Sequence, residues 1–327
     1  MLSRLFFCLS RVFRLASGSA VVAVATIATA QTYPSKPVRI INPYTAGSTG
    51  DSIARIVADE LKASMGGTFL VESKPGAVGQ VGSDYVSKSP ADGYTLLVSS
   101  SATHSIGPWL TKALPYDALK DFTHIARLVM IPYMLVVKAE NAPSTAADFV
   151  AEARRKGNMS YGYGSSTAQV AAMAFASSAR FPALGVPYKG QPAAVNDLIG
   201  GQIQFMMADL SVAAPLVRAG KLKALGVTST TRSALWPDIP TLSEAGFPEN
   251  DLVAWVGFAG PPKMPKDVVD RLSAEIVKLG QKPEVRQRFA GLGLDFSPNT
   301  FSDHVEFTKS QLNAWGSRIK AAGIQPE

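Results

Sequence analysis

The sequence holds a single cysteine, Cys8, and three histidines, His104, His124 and His304. Cys8 lies in a leader with a basic start (Arg4, Arg11, Arg14) and an apolar, small-residue run from Leu15 to Thr29. The leader closes on Ala28-Thr29-Ala30, the A-x-A pattern of a signal-peptide cleavage site. Cleavage after Ala30 leaves a chain without cysteine, which excludes disulfides, thiol nucleophiles and lipidation at a mature N-terminus. The leader's apolar run is too short and too rich in alanine and glycine for a membrane span. Residues 1–30 therefore read as a signal peptide, and the mature protein as exported and periplasmic. The leader takes three arginines and no acid with it, lowering the formal net charge from +7 to +4. The remaining lysines and arginines are scattered along the chain, which argues against a nucleic-acid surface.

Signatures of catalysis are equally sparse. No two histidines stand at metal-ligand spacing, and neither H-E-x-x-H nor G-x-S-x-G occurs. Gly76, Gly79 and Gly82 are spaced wrongly for a dinucleotide fingerprint, and Gly162-Tyr163-Gly164 has Thr167 where the third glycine belongs. Asp51, Asp84, Asp92, Asp117, Asp121 and Asp209 fit helix caps, turns and strand ends at least as well as acid/base roles. No cofactor, metal or catalytic residue is assigned. An exported α/β enzyme using Asp51, Asp209 or His104 as acid/base stands as the alternative to a binding protein.

What the chain does contain is a repeated strand, small-residue turn and helix. Val38–Asn42, Thr68–Glu72 and Tyr94–Val98 read as strands, and helical spacing follows the first at Ile53, Ile56, Val57 and Leu61. The pattern restarts with Met134–Val137, a helix from Thr145 to Lys156, Met159–Tyr161 and a helix from Ala168 to Ala179. Gly185–Tyr188, Ile203–Met207, Leu222–Val227 and Trp255–Ala259 complete the strands, and three helices close the chain. This predicts an α/β fold with a largely parallel sheet. Two such units imply two lobes, 31–132 plus 255–327 and 133–254, with crossings near Pro132–Tyr133 and Val253–Trp255.

The small polar residues fall after strand ends, where open α/β sheets bind ligands. The first turn offers Tyr44, Ala46, Gly47, Ser48, Thr49 and Asp51, and the second Tyr163, Gly164, Ser165, Ser166 and Thr167. Ser101, Ala102 and Thr103 form a third cluster. Without a P-loop lysine after the first turn, a nucleotide phosphate is disfavoured. Two helix N-termini would instead cradle one small anion, at about 1.5–3 kcal/mol net per charge-assisted hydrogen bond.

Several longer stretches carry a family resemblance. These are Tyr33–Ile41, Pro75-Gly76-Ala77 with Pro90–Leu97, Leu114–Asp117 with Lys120–Thr123, Val186–Gly190 through Asp197–Gln202, Val217–Leu225, and Pro240–Gly246. In that order they resemble the extracytoplasmic receptors of tripartite tricarboxylate transporters, the Bug family, over essentially the whole mature chain. The resemblance implies a type II periplasmic-binding-protein fold, two lobes with a small carboxylate in the cleft, and delivery to membrane permease subunits by a monomer. It also implies that the Tyr44–Asp51 and Gly162–Thr167 loops hold the carboxylate from opposite lobes, with Asp209 at the cleft edge. A receptor that reports to a membrane sensor kinase is the alternative within this reading. Two departures fall in the pocket. Thr45-Ala46-Gly47-Ser48 stands where the family runs Pro-Pro-Gly-Gly, and the second loop is shorter, with Tyr163 added. Tyr44 and Tyr163 raise the idea of a planar ligand group between rings.

Overall fold

β-branched runs and amphipathic stretches alternate along the chain, and the computed structural model realises most of them as elements. It describes residues 33–233, 236–248, 250, 252–321 and 323–326, so the leader lies outside the described residues. In chain order the first elements are β1 (Val38–Asn42), α1 (Thr49–Met65), β2 (Phe69–Ser73), a 3₁₀ turn (Ala77–Gly79), α2 (Gln80–Ser87) and β3 (Thr95–Ser100). A π-helical turn (Ala102–Ile106), α3 (Gly107–Leu110) and the long strand β4 (Thr123–Lys138) follow. Next come α4 (Ala146–Lys156), β5 (Met159–Tyr163), α5 (Ser166–Ser178), β6 (Ala183–Pro187), α6 (Gln191–Ile199), β7 (Met206–Asp209), α7 (Leu210–Arg218) and β8 (Leu222–Val227). The chain returns through β9 (Val253–Gly260) and ends with α8 (Lys266–Leu279), α9 (Pro283–Gly291), β10 (Asp295–Phe296) and α10 (Phe301–Ala321).

The sheet corrects the expectation of largely parallel pairing. β1 pairs β2 and β3 in parallel, as βαβ units require. β9, however, is antiparallel to both β3 and β4, and β10, β7 and β8 are all antiparallel to β4. The reason is β4 itself. It is one continuous strand whose first part, Thr123 to Pro132, pairs β9 and whose second part, Tyr133 to Lys138, pairs β7 and β8. The chain crosses on β4 and returns on β9, so these strands run oppositely. Sequence periodicity marked only Met134–Val137, because β4 is buried on both faces for much of its length and shows little alternation.

One contiguous apolar core runs through both sides, with smaller clusters beside it. Val38, Ile40, Ile53, Val57, Leu61, Leu96 and Ile276 pack α1 and α8 on the first sheet. On the other side Phe149, Phe175, Phe181 and Phe205 meet at ring separations of 5.4–6.4 Å, mostly edge to face, the arrangement aromatic quadrupoles favour. α4 starts as the sequence suggests, with Thr145 and Asp148 forming a reciprocal capping box. The described elements form a mixed α/β structure in which β4 links the two sheet regions.

Candidate ligand cleft

The first loop is held by its own residues. Asn42, fully buried at the end of β1, donates to the carbonyls of Tyr44 (3.1 Å) and Thr45 (3.4 Å). Ser48 caps α1 by accepting from the Asp51 amide at 3.2 Å. The Asp51 carboxylate turns back to accept from the Gly47 amide (3.0 Å) and forms a forked ion pair with Arg55 at 2.9 and 3.1 Å. Arg55 first, and the Gly47 amide with it, hold the Asp51 carboxyl below its usual range against the opposing effect of burial. Asp51 is thus a brace for the loop, and Gly47 spends its amide on that brace. Gly47 sits at φ +79°, with open space where a side chain would begin. Ala46 is exposed, and Thr49 and Gly50 open α1, where amides have no partner inside the helix.

Tyr44 points inward. Its hydroxyl meets Ser100 Oγ at 2.6 Å, and its ring packs against Gly50 and Gly79, so its pKa is pushed up to about 12 by burial. From Ser100 the polar contacts continue to Thr103 Oγ1 (3.3 Å) and on to His104 Nδ1 (2.8 Å). Ser101 accepts from the Trp255 amide at 3.4 Å, and Ala102 begins the π-helical turn. Ser101 and Thr103 are both buried.

The three histidines, far apart in sequence, meet here. His104 and His124 lie 5.6 Å apart, His124 and His304 5.5 Å, and Trp255 stands 5.3 Å from His304. Burial lowers all three pKa values, His124 to about 4, with the Ala118 carbonyl offsetting part of that drop. Among the described residues no group of three or more His, Cys, Asp or Glu has the geometry to hold a metal ion.

The second loop is held by its surroundings. Ser165 caps α5 by accepting from the Ala168 amide (3.3 Å), and its hydroxyl meets that of Thr167 at 3.3 Å. Gly164 lies flat on the start of α6: a Cβ there would stand 2.2 Å from the Gln191 nitrogen and 2.3 Å from the Gly190 carbonyl carbon. Ser166 opens α5 and is half-buried, while Tyr163 packs its ring 6.0 Å from that of Tyr161. Both Tyr44 and Tyr163 are therefore packed against framework residues.

Tyr133, absent from the sequence-based set, connects the parts. It is 1% exposed, at the first β4 position that pairs with β7. Its hydroxyl faces Ser165 and Thr167, Tyr44 and Asp209 stand close enough to influence it, and burial pushes its pKa well up. Its amide is held by Thr228 Oγ1 at 2.9 Å. Asp209 lies directly opposite Tyr133 across the β4–β7 pair, so both side chains share a face. Burial raises the Asp209 carboxyl, against a hydrogen bond from Gln191, whose Oε1 also accepts the Asp209 amide at 2.9 Å. The signal for Gln191 was present as a further strand-end turn, Tyr188-Lys189-Gly190, before a helix. Tyr133 had no such signal, because a strand residue's face depends on its register.

Two loops with no lysine or arginine of their own end at capped helix N-termini, and Tyr133 is buried where β4 passes from β9 to β7. The fold is that of the two-lobed, type II periplasmic-binding-protein class. The chain belongs to the tripartite tricarboxylate transporter family receptors, whose profile matches residues 53–324. Protein BugT of Bordetella pertussis is 29% identical over 94% of this chain and 95% of its own. The solved structure of R. palustris Rpa4515 with adipate superposes with a TM-score of 0.81 at 26% identity, covering 90% of this chain and all of that one. MatC from Rhodopseudomonas palustris with bound malate gives 0.75 at 25%, over 88% of this chain and all of MatC. Among the described residues no helix is long and apolar enough to cross a membrane.

Proposed function

We propose that this protein is a periplasmic receptor that captures a small organic carboxylate between its lobes and delivers it to tripartite tricarboxylate transporter permease subunits, with no catalytic step. The lobes divide as 31–132 plus 255–327 and 133–254, and the protein closes by rotation about Pro132–Met134 and Val253–Trp255. The observation that carries the reading is the pair of small-residue loops that end at capped helix N-termini, Ser48 at α1 and Ser165 at α5. Free amides at the starts of α1 and α5 supply hydrogen bonds and the positive ends of two helix dipoles. Adipate and malate in the related structures support a carboxylate as the ligand class. Asp209 tunes the site: a buried acid beside a carboxylate ligand favours a ligand with a hydroxyl or ammonium donor turned towards it.

The test is a thermal-shift screen of dicarboxylates, hydroxy acids, amino acids and aromatic acids, followed by calorimetry of any hit. A ligand at about 100 times its Kd raises apparent stability by about 2.7 kcal/mol. Gly47→Val should weaken the hit at least tenfold, since a β-branched residue at φ +79° must leave the left-handed region and reshape the loop. An unchanged affinity would sink the cradle reading, and turnover of the hit would replace it with the enzyme reading.

A further inference from the structure

A second cavity, of about 590 Å³, lies behind the crossing strands. Its floor is Met130 and Pro132 of β4 with Val253 of β9; one wall carries Leu210 and the loop 229–233, the other Ala290 and Leu294. Side chains alternate along a strand. Ile131 (6% exposed) and Tyr133 (1%) are buried on one face of β4, whereas Met130 and Pro132 are half-buried on the other. Ile131 also lines the cavity, whereas Tyr133, two positions further along β4, does not. At one end the walls touch: Gly293, at φ +73°, packs so closely on Ser211 that a Cβ would stand 3.2 Å from its Cα.

The lining is chemically one-sided. Arg232 is neutralised by Glu244, with its Nε 2.9 Å from a carboxylate oxygen. Arg286 instead fixes its Nε on the Gly280 carbonyl at 2.5 Å, which orients the guanidinium; among the described residues nothing accepts from its terminal nitrogens, which stay open to another acceptor. Asp295 at the rim disfavours a second negative charge. We infer that this cavity is a second ligand site, for an amphipathic monocarboxylate whose tail lies on Met130, Leu210 and Leu294 and whose carboxylate meets Arg286. The site stands whatever the cleft binds. If the lobes rotate as proposed above, the two sites are also linked, because Pro132 and Val253, which line the cavity, lie at the two crossings about which the lobes would turn. An occupant then weakens or strengthens cleft binding reciprocally.

The probe is octanoate, titrated calorimetrically into the mature chain and into Ala290→Trp, Arg286→Gln and Gly47→Val. Both cavity substitutions are at exposed positions, so the fold is retained, and circular dichroism checks it. The expected result is one site with a Kd of about 1 mM or tighter. Ala290→Trp should weaken it more than tenfold by filling the cavity, Arg286→Gln about fivefold, and Gly47→Val should leave it unchanged. No heat at about 10 mM octanoate, a range that covers weak small-ligand binding, overturns the inference. So does binding that survives Ala290→Trp but is lost in Gly47→Val, since octanoate then occupies the cleft. Failure of the cleft reading shows separately, as the absence of any hit in the carboxylate screen.

Discussion

The two small-residue loops look alike in sequence and are built differently. The first is self-braced: Asn42, Ser48, Asp51 and Arg55 all come from the loop or the elements joined to it. The second is shaped from outside, with Gly164 pressed on Gly190–Gln191 and Ser165 and Thr167 faced by Tyr133. A self-braced loop tolerates changes in the lobe that carries it, while an externally shaped loop reports on its neighbours. In a receptor that closes, the second kind of loop is the one whose geometry depends on the crossing strand.

The contrast breaks most completely at Gly164. Alanine there would overlap backbone atoms of Gly190 and Gln191, and backbone cannot rotate aside as a side chain can. Gly164→Ala should cost on the order of 3 kcal/mol, the upper part of the range for overpacking, and shift urea unfolding to lower concentration. Glycine at 47, in open space, should accept alanine for about 1 kcal/mol, the cost of its positive φ alone. Equal losses at the two glycines would show that the loops are not braced differently.

Removing the brace of the first loop is the next largest change. Asp51→Ala leaves the Gly47 amide and Arg55 without their shared partner, and should weaken ligand binding about tenfold, corresponding to 1.4 kcal/mol, chiefly by loosening the loop. Arg55→Ala, which leaves the Gly47 contact in place, should weaken it less. If both variants bind the ligand as the unaltered protein does, the Asp51 brace is irrelevant to the cleft.

Acid sharpens the comparison because the two sides respond with opposite sign. Burial holds His104, His124 and His304 below 6.5, with Arg127 adding to the drop at His304 and Tyr116 packed on His104. The unfolded chain therefore takes up protons first as pH falls below about 6.5. Stability is complete above that pH and is lost as pH falls towards 4, at up to about 1.4 kcal/mol per pH unit for each histidine. Asp209, next to the second loop, has a raised pKa, so its folded-state penalty is present at neutral pH and is relieved as the carboxyl protonates. Hydrogen exchange at pH 5 should accelerate in residues 99–110 and the first loop more than in 160–168. Uniform acceleration would contradict the link from Tyr44 through Ser100 and Thr103 to His104.

Much of this was legible from residues alone. The strand–turn–helix order exposed both loops, and the helix expected from Thr145 is α4, with Thr145 as its N-cap. The histidine cluster was not legible, because His104, His124 and His304 come together only through the packing of the π-helical turn, β4 and α10. Nor was the inward turn of Asp51 and Tyr44: a carboxylate at a helix start and a tyrosine before a glycine turn suit a ligand as well as a brace. For Tyr44 the partner is set by tertiary contact, with Ser100, whereas the partner of Asp51 is Arg55, one helical turn on in α1, a pairing the sequence spacing allowed.

The smallest effect is also the cleanest comparison, because nature has placed the same cap in both loops. Ser48 accepts the Asp51 amide at 3.2 Å and Ser165 the Ala168 amide at 3.3 Å, so alanine at either position removes one N-cap, about 1 kcal/mol of stability each. Beyond the cap the two hydroxyls differ. Ser48 lies near only its own loop and Asn42, whereas Ser165 also meets Thr167 and is faced by Tyr133. In a double-mutant cycle with Tyr133→Phe, Ser48→Ala should be additive within about 0.5 kcal/mol, and Ser165→Ala should couple by about 0.5–1 kcal/mol. Urea unfolding of the six proteins reads both terms. Additivity at Ser165 would mean that the second loop, too, is held by its own residues, and the distinction between the loops would vanish.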